Sequence, residues 1–191
     1  MKILVTGCRG QVGWELTRSL AVLGEVVACD RATADLSRPA SLNAVIERWR
    51  PNVVVNAAAY TAVDKAQDEE ALAATINAEA VGALAQAARA VGALLVHYST
   101  EYVFDGAKAG AYVEEDRPNP LNAYGRSKLA GEQAIATAGG DWLVFRTSWV
   151  YAARGKNFLR TMLRLAGERE TLRVVADQVG APTSARMLAD L

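Results

Sequence analysis

The chain has 191 residues, 51% of them apolar, and its 21 lysine and arginine residues balance its 21 aspartate and glutamate residues. This length suits a single buried core with at most one small second lobe. The balanced charge, with no run of basic residues, excludes the electrostatic features that binding to nucleic acid or to an anionic membrane requires.

Short runs of β-branched and aliphatic residues alternate along the chain with longer runs rich in alanine and leucine. The short runs predict strands over residues 2–6, 25–30, 52–56, 93–99, 141–147 and 171–176. The longer runs predict helices over residues 12–23, 41–49, 68–91, 124–138 and 157–166, and a further helix after Pro182. Strict alternation of strand and helix indicates βαβ units. We therefore expect an α/β fold built on a doubly wound parallel sheet of six strands, the Rossmann fold.

The first predicted strand lies in the apolar opening of the chain, "MKILVTG". This run is too short for the apolar part of a secretory signal and far too short for a membrane span. We therefore expect a cytoplasmic protein.

Three glycines, Gly7, Gly10 and Gly13, follow the first strand in the motif "TGCRGQVG". A predicted strand precedes the motif and a predicted helix follows it. That context allows a tight turn, bare backbone close to a pyrophosphate, and a helix N-terminus that faces negative charge. The motif therefore predicts a dinucleotide cofactor.

The second predicted strand ends at Asp30, and Arg31 follows directly. An acidic side chain at this place can accept hydrogen bonds from the ribose hydroxyls of NADH. A guanidinium at the same place can hold the 2′-phosphate of NADPH. The two neighbours point to different cofactors, so the sequence leaves NADPH and NADH both open.

A long irregular stretch over residues 104–123, "FDGAKAGAYVEEDRPNPLNA", is unusual for a compact domain and suggests a lid or a binding loop. It leads into "YGRSK", in which Tyr124 and Lys128 share one helix face. Taken alone, this pair is compatible with a proton donor and with an ordinary solvated helix.

The sequence has one histidine, His97, and two cysteines, Cys8 and Cys29. No GxSxG motif accompanies the histidine, and no Cys/His cluster or CxxC motif is present. These absences argue against a serine hydrolase and a zinc site, and no metal ligand is assigned. We expect His97 to be a packed or hydrogen-bonded strand residue without a catalytic task, and the cysteines to be buried thiols.

Six blocks of sequence resemble one known family, the extended short-chain dehydrogenase/reductases, and within it the dTDP-4-dehydrorhamnose reductases. The blocks are "TGCRGQVGWEL", "NAAAYTAVDKAQ", "HYSTEYVFDG", "NPLNAYGRSKLAGE", "FRTSWVY" and "VVADQVGAPTSA". Together they extend over the whole chain. The resemblance implies reduction of a dTDP-4-keto-6-deoxy sugar by NADPH or NADH, the last step to dTDP-L-rhamnose.

The resemblance also implies that Thr100, Tyr124 and Lys128 form a catalytic trio. Reduction of a ketone needs a hydride at carbon and a proton at oxygen, and a tyrosine with its usual pKa of about 10 is a slow proton donor. An ammonium group one helical turn away is expected to lower the pKa of Tyr124. Lys128 would also hold the nicotinamide ribose, and Thr100 would polarise the carbonyl.

Further residues are assigned to the cofactor and to the substrate, mostly through the resemblance. For the cofactor they are Gly7, Gly10, Gln11, Val12 and Gly13 at the pyrophosphate, Asp30 and Arg31 at the ribose, Asp35 and Leu36 beside adenine, and Ala59, Tyr60, Thr61, Tyr98, Tyr124 and Lys128. For the substrate they are Thr100, Glu101 and Trp149. Asn77 has two alternative roles, support of a proton relay or helix packing.

Two other functions remain open at this point. The first is a nucleotide-sugar dehydratase or epimerase; dehydratases resemble one another in an Asp and a Glu directly after the catalytic threonine. Here Glu101 and Tyr102 follow Thr100, which favours plain reduction, and Glu101 replaces the Asp expected in the reductases. The second is an NADP-binding regulatory subunit without activity, which would not need an intact trio.

The resemblance finally divides the chain into a cofactor domain over residues 1–176 and the start of a substrate lobe over residues 177–191. Family members continue with a segment that completes this lobe. We therefore expect these 191 residues to bind the cofactor and to show weak or no turnover. The resemblance also implies a homodimer, with magnesium at the interface in some members.

Overall fold

The computed structural model describes all residues from 1 to 191. Its strands are β1 (Lys2–Thr6), β2 (Glu25–Cys29), β3 (Val53–Asn56), β4 (Leu94–Thr100), β5 (Trp142–Thr147), β6 (Val150–Tyr151) and β7 (Thr183–Ser184). Its α-helices are α1 (Gln11–Ser19), α2 (Leu42–Trp49), α3 (Glu70–Ala74), α4 (Ala80–Val91), α5 (Ala123–Ala138), α6 (Phe158–Glu168) and α7 (Ala185–Asp190). The predicted alternation of strand and helix holds from β1 to β5.

Five of the strands form one parallel sheet in the order β2-β1-β3-β4-β5. The chain moves from β1 out to β2 and then returns to the other side of β1 with β3, so the order reverses between β1 and β3. Ligands of open α/β sheets bind beyond the carboxyl ends of the strands at such a reversal. The ends of β1 and β3 lie side by side there, next to His97 of β4, since Thr6 pairs in register with Asn56, and Asn56 with His97.

Both faces of this sheet are buried, because successive residues of a strand point to opposite sides. On one side Leu4 packs with residues of α2, α4 and α5. On the other side Ile3 and Val5 pack with Leu16 of α1 and Ala189 of α7. Burial on both faces explains why the strands read as nearly continuous apolar runs in the sequence.

The prediction of a strand over residues 171–176 is wrong. These residues lie in an irregular segment between α6 and β7, where Val174 is 51% exposed and Val175 is 66% exposed. β-Branched residues favour a strand only where it can pack and pair with a neighbour, and no strand pairs with this segment. The main sheet therefore has five strands instead of six, and β6 and β7 form a separate parallel pair.

The helix predicted over residues 68–91 contains an unexpected π-helical turn, Thr75–Glu79, between α3 and α4. Such turns often occur at functional sites, and hydrophobic periodicity does not reveal them. The other predicted helices are present, and the irregular stretch before α5 is confirmed. Every helix is too short or too polar to span a bilayer.

Helix α5 approaches the π turn more closely than a side chain would permit. A Cβ atom at Gly131 would lie 2.1 Å from the carbonyl oxygen of Asn77. Gly167 of α6, by contrast, has no neighbouring atom within 4 Å of the place that a Cβ atom would occupy. Gly131 is thus required because a side chain would not fit. Gly167 has only the general cost of a glycine within a helix.

We predict opposite effects of alanine at these two positions. Gly131→Ala should lower the free energy of unfolding by about 1–3 kcal/mol, because the backbone of the π turn has to move. Gly167→Ala should leave it unchanged or raise it by up to about 1 kcal/mol, because alanine is the better helix former. Urea unfolding followed by circular dichroism measures both variants, and equal effects would contradict the close approach.

Candidate active site

Strand β1 runs into a tight turn where the order of the sheet reverses. Gly7 has a φ of +67°, and a Cβ atom there would lie 2.8 Å from the amide nitrogen of Ala58. Gly10 donates its N–H to the carbonyl oxygen of Gly7 over 2.9 Å, and a Cβ atom at Gly13 would lie 2.1 Å from that oxygen. The turn enters α1 without a side-chain cap, so the first amide groups of the helix are free to bind a phosphate.

Gln11 and Val12, in the first turn of α1, have different surroundings. Oε1 of Gln11 accepts a hydrogen bond from Nδ2 of Asn157 over 2.7 Å, which ties the glycine turn to the start of α6. Val12 packs against the smaller core cluster beneath the helix. Gln11 therefore lies beside the turn, whereas Val12 supports it from below.

The carboxylate of Asp30, directly after β2, is held from two sides. Its Oδ2 atom lies 2.6 Å from Nη2 of Arg9 in the glycine turn, and its Oδ1 atom accepts the N–H of Ala32 over 3.0 Å. Burial acts to raise the pKa of Asp30, but hydrogen bonds from Thr33 and the charge of Arg9 lower that pKa overall. The structure thus joins the glycine turn to Asp30 through a guanidinium that the sequence analysis did not single out.

Arg31, Asp35 and Leu36 follow in the segment after β2. Asp35 accepts two hydrogen bonds from Ser37, of 2.9 Å from its N–H and 2.7 Å from its hydroxyl, and these bonds lower the pKa of Asp35. Nε of the exposed Arg31 lies 3.5 Å from Oδ1 of Asp35. Leu36 is a member of the large core cluster, so its side chain is not open to a ligand.

Ala59, Tyr60 and Thr61 form the loop after β3, and Asn77 of the π turn anchors it. Oδ1 of Asn77 accepts the N–H of Tyr60 over 2.9 Å, and Nδ2 donates to the carbonyl oxygen of Tyr60 and to the hydroxyl of Ser127, each over 3.0 Å. Both N–H groups of the Asn77 amide are engaged by these bonds. Of its two predicted roles, the geometry favours packing.

The three predicted catalytic residues come together at the carboxyl end of β4. Thr100 ends the strand, while Tyr124 and Lys128 lie one turn apart on α5, and the three are 4%, 9% and 1% exposed. The hydroxyl of Thr100 donates to Oε2 of Glu101 over 2.9 Å and accepts the N–H of Tyr102 over 3.2 Å. The ring of Tyr102 packs edge-on against that of Tyr124, with centroids 5.6 Å apart.

The predicted lowering of the Tyr124 pKa is wrong for this structure. Burial raises the pKa of Tyr124 to about 12, and a hydrogen bond with Thr100 opposes that effect only in part. Nζ of Lys128 is directed elsewhere, since it donates to the carbonyl oxygen of Tyr98 over 2.7 Å and lies 3.1 Å from Nε2 of His97. Tyr124 is therefore held as a protonated phenol, the form that a proton donor needs.

Lys128 and His97 are both deeply buried. Burial lowers the pKa of Lys128 to about 8, although the charge of Glu132 acts to raise it. Burial, and then the charge of Lys128, lower the pKa of His97 well below its usual 6.5. His97 is thus a neutral, hydrogen-bonded strand residue, which confirms its predicted placement.

The side chain of Tyr98 points towards the end of the chain. Its hydroxyl donates to the carbonyl oxygen of Leu188 in α7 over 2.8 Å, and burial raises its pKa to about 12. Only the backbone carbonyl of Tyr98 contacts Lys128. The structure therefore does not direct the hydroxyl of Tyr98 towards the trio.

Trp149, just beyond β5, has a strained backbone. Its φ of +43° lies in the left-handed region that residues other than glycine rarely adopt, and it is 46% exposed. Its ring lies against Gly180, where a Cβ atom would be 2.6 Å away. Because β5 pairs with β4, Trp149 lies at the same edge of the sheet as Thr100. Strain of this kind is concentrated at functional sites, which supports the predicted contact with substrate.

No three histidine, cysteine, aspartate or glutamate side chains lie close enough together to hold a metal ion. The magnesium that the resemblance implies for a dimer interface is assigned no ligand and no step of the chemistry.

Asn56, at the end of β3, is a further polar residue that the sequence analysis did not single out. Its Oδ1 atom accepts the hydroxyl of Thr6 over 2.6 Å, and its Nδ2 atom lies 3.1 Å from Nδ1 of His97. The available signal was a polar residue at the carboxyl end of a buried strand, where α/β proteins place their ligands.

This architecture agrees with the short-chain dehydrogenase/reductase class that the sequence resembles. The family described as "RmlD substrate binding domain" matches residues 1–191. The chain therefore belongs to that family.

Three proteins illustrate the relationship. A dTDP-4-dehydrorhamnose reductase of Burkholderia thailandensis is 65% identical over 190 residues, which cover 100% of this chain and 64% of that protein. The crystal structure of a dTDP-4-dehydrorhamnose reductase from Clostridium acetobutylicum matches with a TM-score of 0.95 at 43% identity, over 99% of this chain and 68% of that one. The crystal structure of a dTDP-4-dehydrorhamnose reductase from Bacillus anthracis, in complex with NADP, matches with a TM-score of 0.95 at 40% identity, over 98% of this chain and 67% of that one.

We predict that Lys128 makes the stability of the protein depend on pH. Folding lowers the pKa of Lys128 from 10.5 to about 8. The contribution of neutral Lys128 to the free energy of unfolding is therefore complete above pH 10.5 and is lost as the pH falls towards 8. Over that window the free energy of unfolding of the wild type should fall, relative to Lys128→Met, by up to about 1.4 kcal/mol per pH unit.

Urea unfolding of both proteins between pH 7 and 10.5 measures this difference, and ionisation of the tyrosines is common to both. Lys65→Met, at an exposed lysine, is the matched control and should follow the wild type. Parallel curves for the wild type and Lys128→Met would contradict the lowered pKa.

Proposed function

We propose that this chain is the cofactor-binding and catalytic part of an NAD(P)H-dependent dTDP-4-dehydrorhamnose reductase. The reaction reduces the 4-keto group of dTDP-4-dehydro-6-deoxy-L-mannose to give dTDP-L-rhamnose, a nucleotide sugar for cell-envelope polysaccharides. The observation that carries the proposal is the convergence of Thr100, Tyr124 and Lys128 at the carboxyl edge of the sheet. The names of the three relatives support it.

The glycine turn suits a dinucleotide. Glycines at positions 7, 10 and 13 leave bare backbone at the start of α1, where a pyrophosphate would accept hydrogen bonds from the amide groups. The loop Ala59–Thr61 would line the central part of the cofactor. A reduced nicotinamide supplies the hydride when it is bound. The NADP complex of the Bacillus anthracis relative supports NADPH, and NADH stays open.

The residues of the trio then have separate tasks. The phenol of Tyr124 donates its proton to the ketone oxygen, for which its protonated state at neutral pH is suited. The hydroxyl of Thr100 turns from Glu101 to donate a hydrogen bond to the same oxygen, which polarises the carbonyl. Lys128 would hold the nicotinamide ribose. When charged and turned from its bonds to Tyr98 and His97, it would also stabilise the tyrosinate that remains.

Glu101 and Trp149 would contact the sugar. Burial raises the pKa of Glu101, and its side chain, one methylene longer than the expected Asp, would accept a hydrogen bond from a sugar hydroxyl. The exposed ring of Trp149 offers an apolar surface to the sugar or to the base.

Plain reduction is favoured over dehydration because Tyr102 occupies the place where a dehydratase would have its second carboxylate. The ring of Tyr102 packs against Tyr124, and burial raises the pKa of its phenol further above neutral pH, so it does not replace a carboxylate base. Elimination of water would need one.

We further propose that residues 1–176 form the cofactor domain and that residues 177–191 lead into the substrate-binding part. The packing of α7 against α1 would hold the two parts together. Cys8 and Cys29 are both free thiols, which suits the cytoplasm. The homodimer stays a prediction, which light scattering of the purified chain tests.

We predict that Tyr124→Phe reduces oxidation of NADPH in the presence of the dTDP-4-keto sugar by about 100-fold or more, because the proton donor is lost. NADPH should still bind with an unchanged Kd. Tyr102→Phe, which removes a neighbouring hydroxyl, is the control and should keep the turnover of the wild type. Full activity of Tyr124→Phe would refute the assigned role. Tight binding of NADPH without turnover by the wild type is expected both of a partial enzyme and of a non-catalytic subunit. Activity restored by the C-terminal third of the relatives would identify the partial enzyme.

We also predict that the choice between cofactors depends on Arg9, Asp30 and Arg31. Removal of both guanidinium groups, as Arg9→Ala with Arg31→Ala, should raise the Kd of NADPH about tenfold or more, because charge-assisted bonds to the 2′-phosphate are lost. The Kd of NADH should change little in this double variant. Asp30→Ala, in contrast, should weaken the binding of NADH more than the binding of NADPH. Arg38→Ala, at another exposed arginine, is the control. Fluorescence titration measures each Kd, and equal losses for both cofactors would contradict this assignment.

A further inference from the structure

A row of buried polar side chains crosses the sheet beneath the site. Thr6, Asn56 and His97 lie on three adjacent strands in direct register, and Lys128 of α5 reaches the end of the row. All four residues are at most 1% exposed. Buried polar groups without partners are costly, so the row has to satisfy its own hydrogen bonds.

The hydrogen bonds of the row form a continuous chain. The hydroxyl of Thr6 donates to Oδ1 of Asn56 over 2.6 Å, and Nδ2 of Asn56 lies 3.1 Å from Nδ1 of His97. Nε2 of His97 lies 3.1 Å from Nζ of Lys128, which also donates to the carbonyl oxygen of Tyr98 over 2.7 Å. The chain therefore links the strand before the glycine turn to the catalytic helix.

One backbone group fixes the direction of these bonds. The N–H of Ala58 can only donate, and it points at Oδ1 of Asn56 over 3.2 Å. Oδ1 is therefore the acceptor, and the NH2 group of Asn56 has to face His97. Nδ1 of His97 then accepts, which places the single proton of the neutral imidazole on Nε2.

This tautomer has a consequence for Lys128. An ammonium group has no lone pair and cannot accept the N–H that Nε2 directs at it. A neutral amine accepts that bond and still donates to the carbonyl of Tyr98. The lowered pKa of Lys128, about 8, agrees with easy loss of the proton.

A charged Lys128 demands the opposite arrangement. Its ammonium would donate to Nε2, so the proton of His97 would move to Nδ1 and would have to face Oδ1 of a rotated Asn56. The NH2 group of Asn56 would then oppose the N–H of Ala58, donor against donor. Each protonation state of Lys128 is thus tied to one tautomer of His97.

We propose that His97, oriented by Asn56, is a positioning residue that sets the protonation state of Lys128 through a hydrogen-bond chain whose direction reverses when Lys128 takes up a proton. The consequence for catalysis rests on the role proposed above for Lys128. The coupling between the tautomer of His97 and the protonation state of Lys128 is independent of that role.

The other charges near Lys128 do not replace this coupling. Glu132, one turn further along α5, favours the ammonium form. It is itself held by Arg146 of β5 through bonds of 2.7 and 3.1 Å. The phenol of Tyr98 points away from Lys128, towards the carbonyl oxygen of Leu188. Tyr124, one turn before Lys128 on α5, is protonated below pH 10 because burial raises its pKa to about 12.

The position of the proton on His97 can be measured directly, because His97 is the only histidine. In protein labelled with 15N-histidine, a long-range 1H–15N spectrum distinguishes the nitrogen that carries the proton from the one that does not. The experiment uses the whole chain and needs neither cofactor nor substrate. Its outcome is thus independent of the turnover assay for the proposed function.

We expect the Nε2–H tautomer at pH 10 and a shift to Nδ1–H as the pH falls through about 8. Lys128→Met should hold the Nε2–H tautomer throughout, because no ammonium group is then present to reverse the direction of the hydrogen bonds. Asn56→Asp should hold Nδ1–H throughout, because a carboxylate accepts from both Ala58 and His97. An unchanged tautomer from pH 6 to 10 in the wild type, or a shift that persists in Lys128→Met, would overturn the proposal. The wild-type titration decides the matter even if a variant fails to fold.

Discussion

The burial of Lys128 is the constraint on which the rest of the site depends. A charged or strongly polar group in an apolar interior is costly unless hydrogen bonds compensate it, and β4 provides both of its partners, the carbonyl of Tyr98 and the imidazole of His97. Helix α5 is thereby located against β4, which places Tyr124 beside Thr100. Ser127, next to Lys128 in the helix, accepts a hydrogen bond from Asn77 and ties α5 to the π turn. The geometry of the candidate trio and the packing of α5 are thus one arrangement.

The register of the parallel sheet connects this arrangement to the glycine turn. Thr6 immediately precedes Gly7, and the row from Thr6 through Asn56 to His97 ends at Lys128. Both halves of the candidate site therefore lie on a single polar layer at the point where the strand order reverses. Because such a layer is buried and fully bonded, it is rigid and is sensitive to the gain or loss of one proton. That sensitivity distinguishes it from the apolar core on either side.

Local features of the fold were predictable, and features that need a distant partner were not. The strands from β1 to β5 and the glycine turn follow from apolar runs and from the motif "TGCRGQVG". The run "TLRVVA" reads as a strand but has no strand beside it, and its valines remain exposed. The π turn around Asn77 was not predicted from the apolar pattern, and it packs closely against Gly131 of α5. The ion pair of Arg9 with Asp30 depends on β1 and β2 being neighbours in the sheet.

By itself, the sequence determined the α/β alternation, the glycine turn and the spacing of Tyr124 and Lys128, because each of these arises from residues close together in the chain. The tertiary structure decided the protonation behaviour of the same residues. Burial raises the pKa of Tyr124 to about 12 and lowers that of Lys128 to about 8, and a motif contains no information on burial. The bonds that orient Lys128 join residues 50, 41 and 31 positions apart. Such contacts exist only after the sheet has set its register.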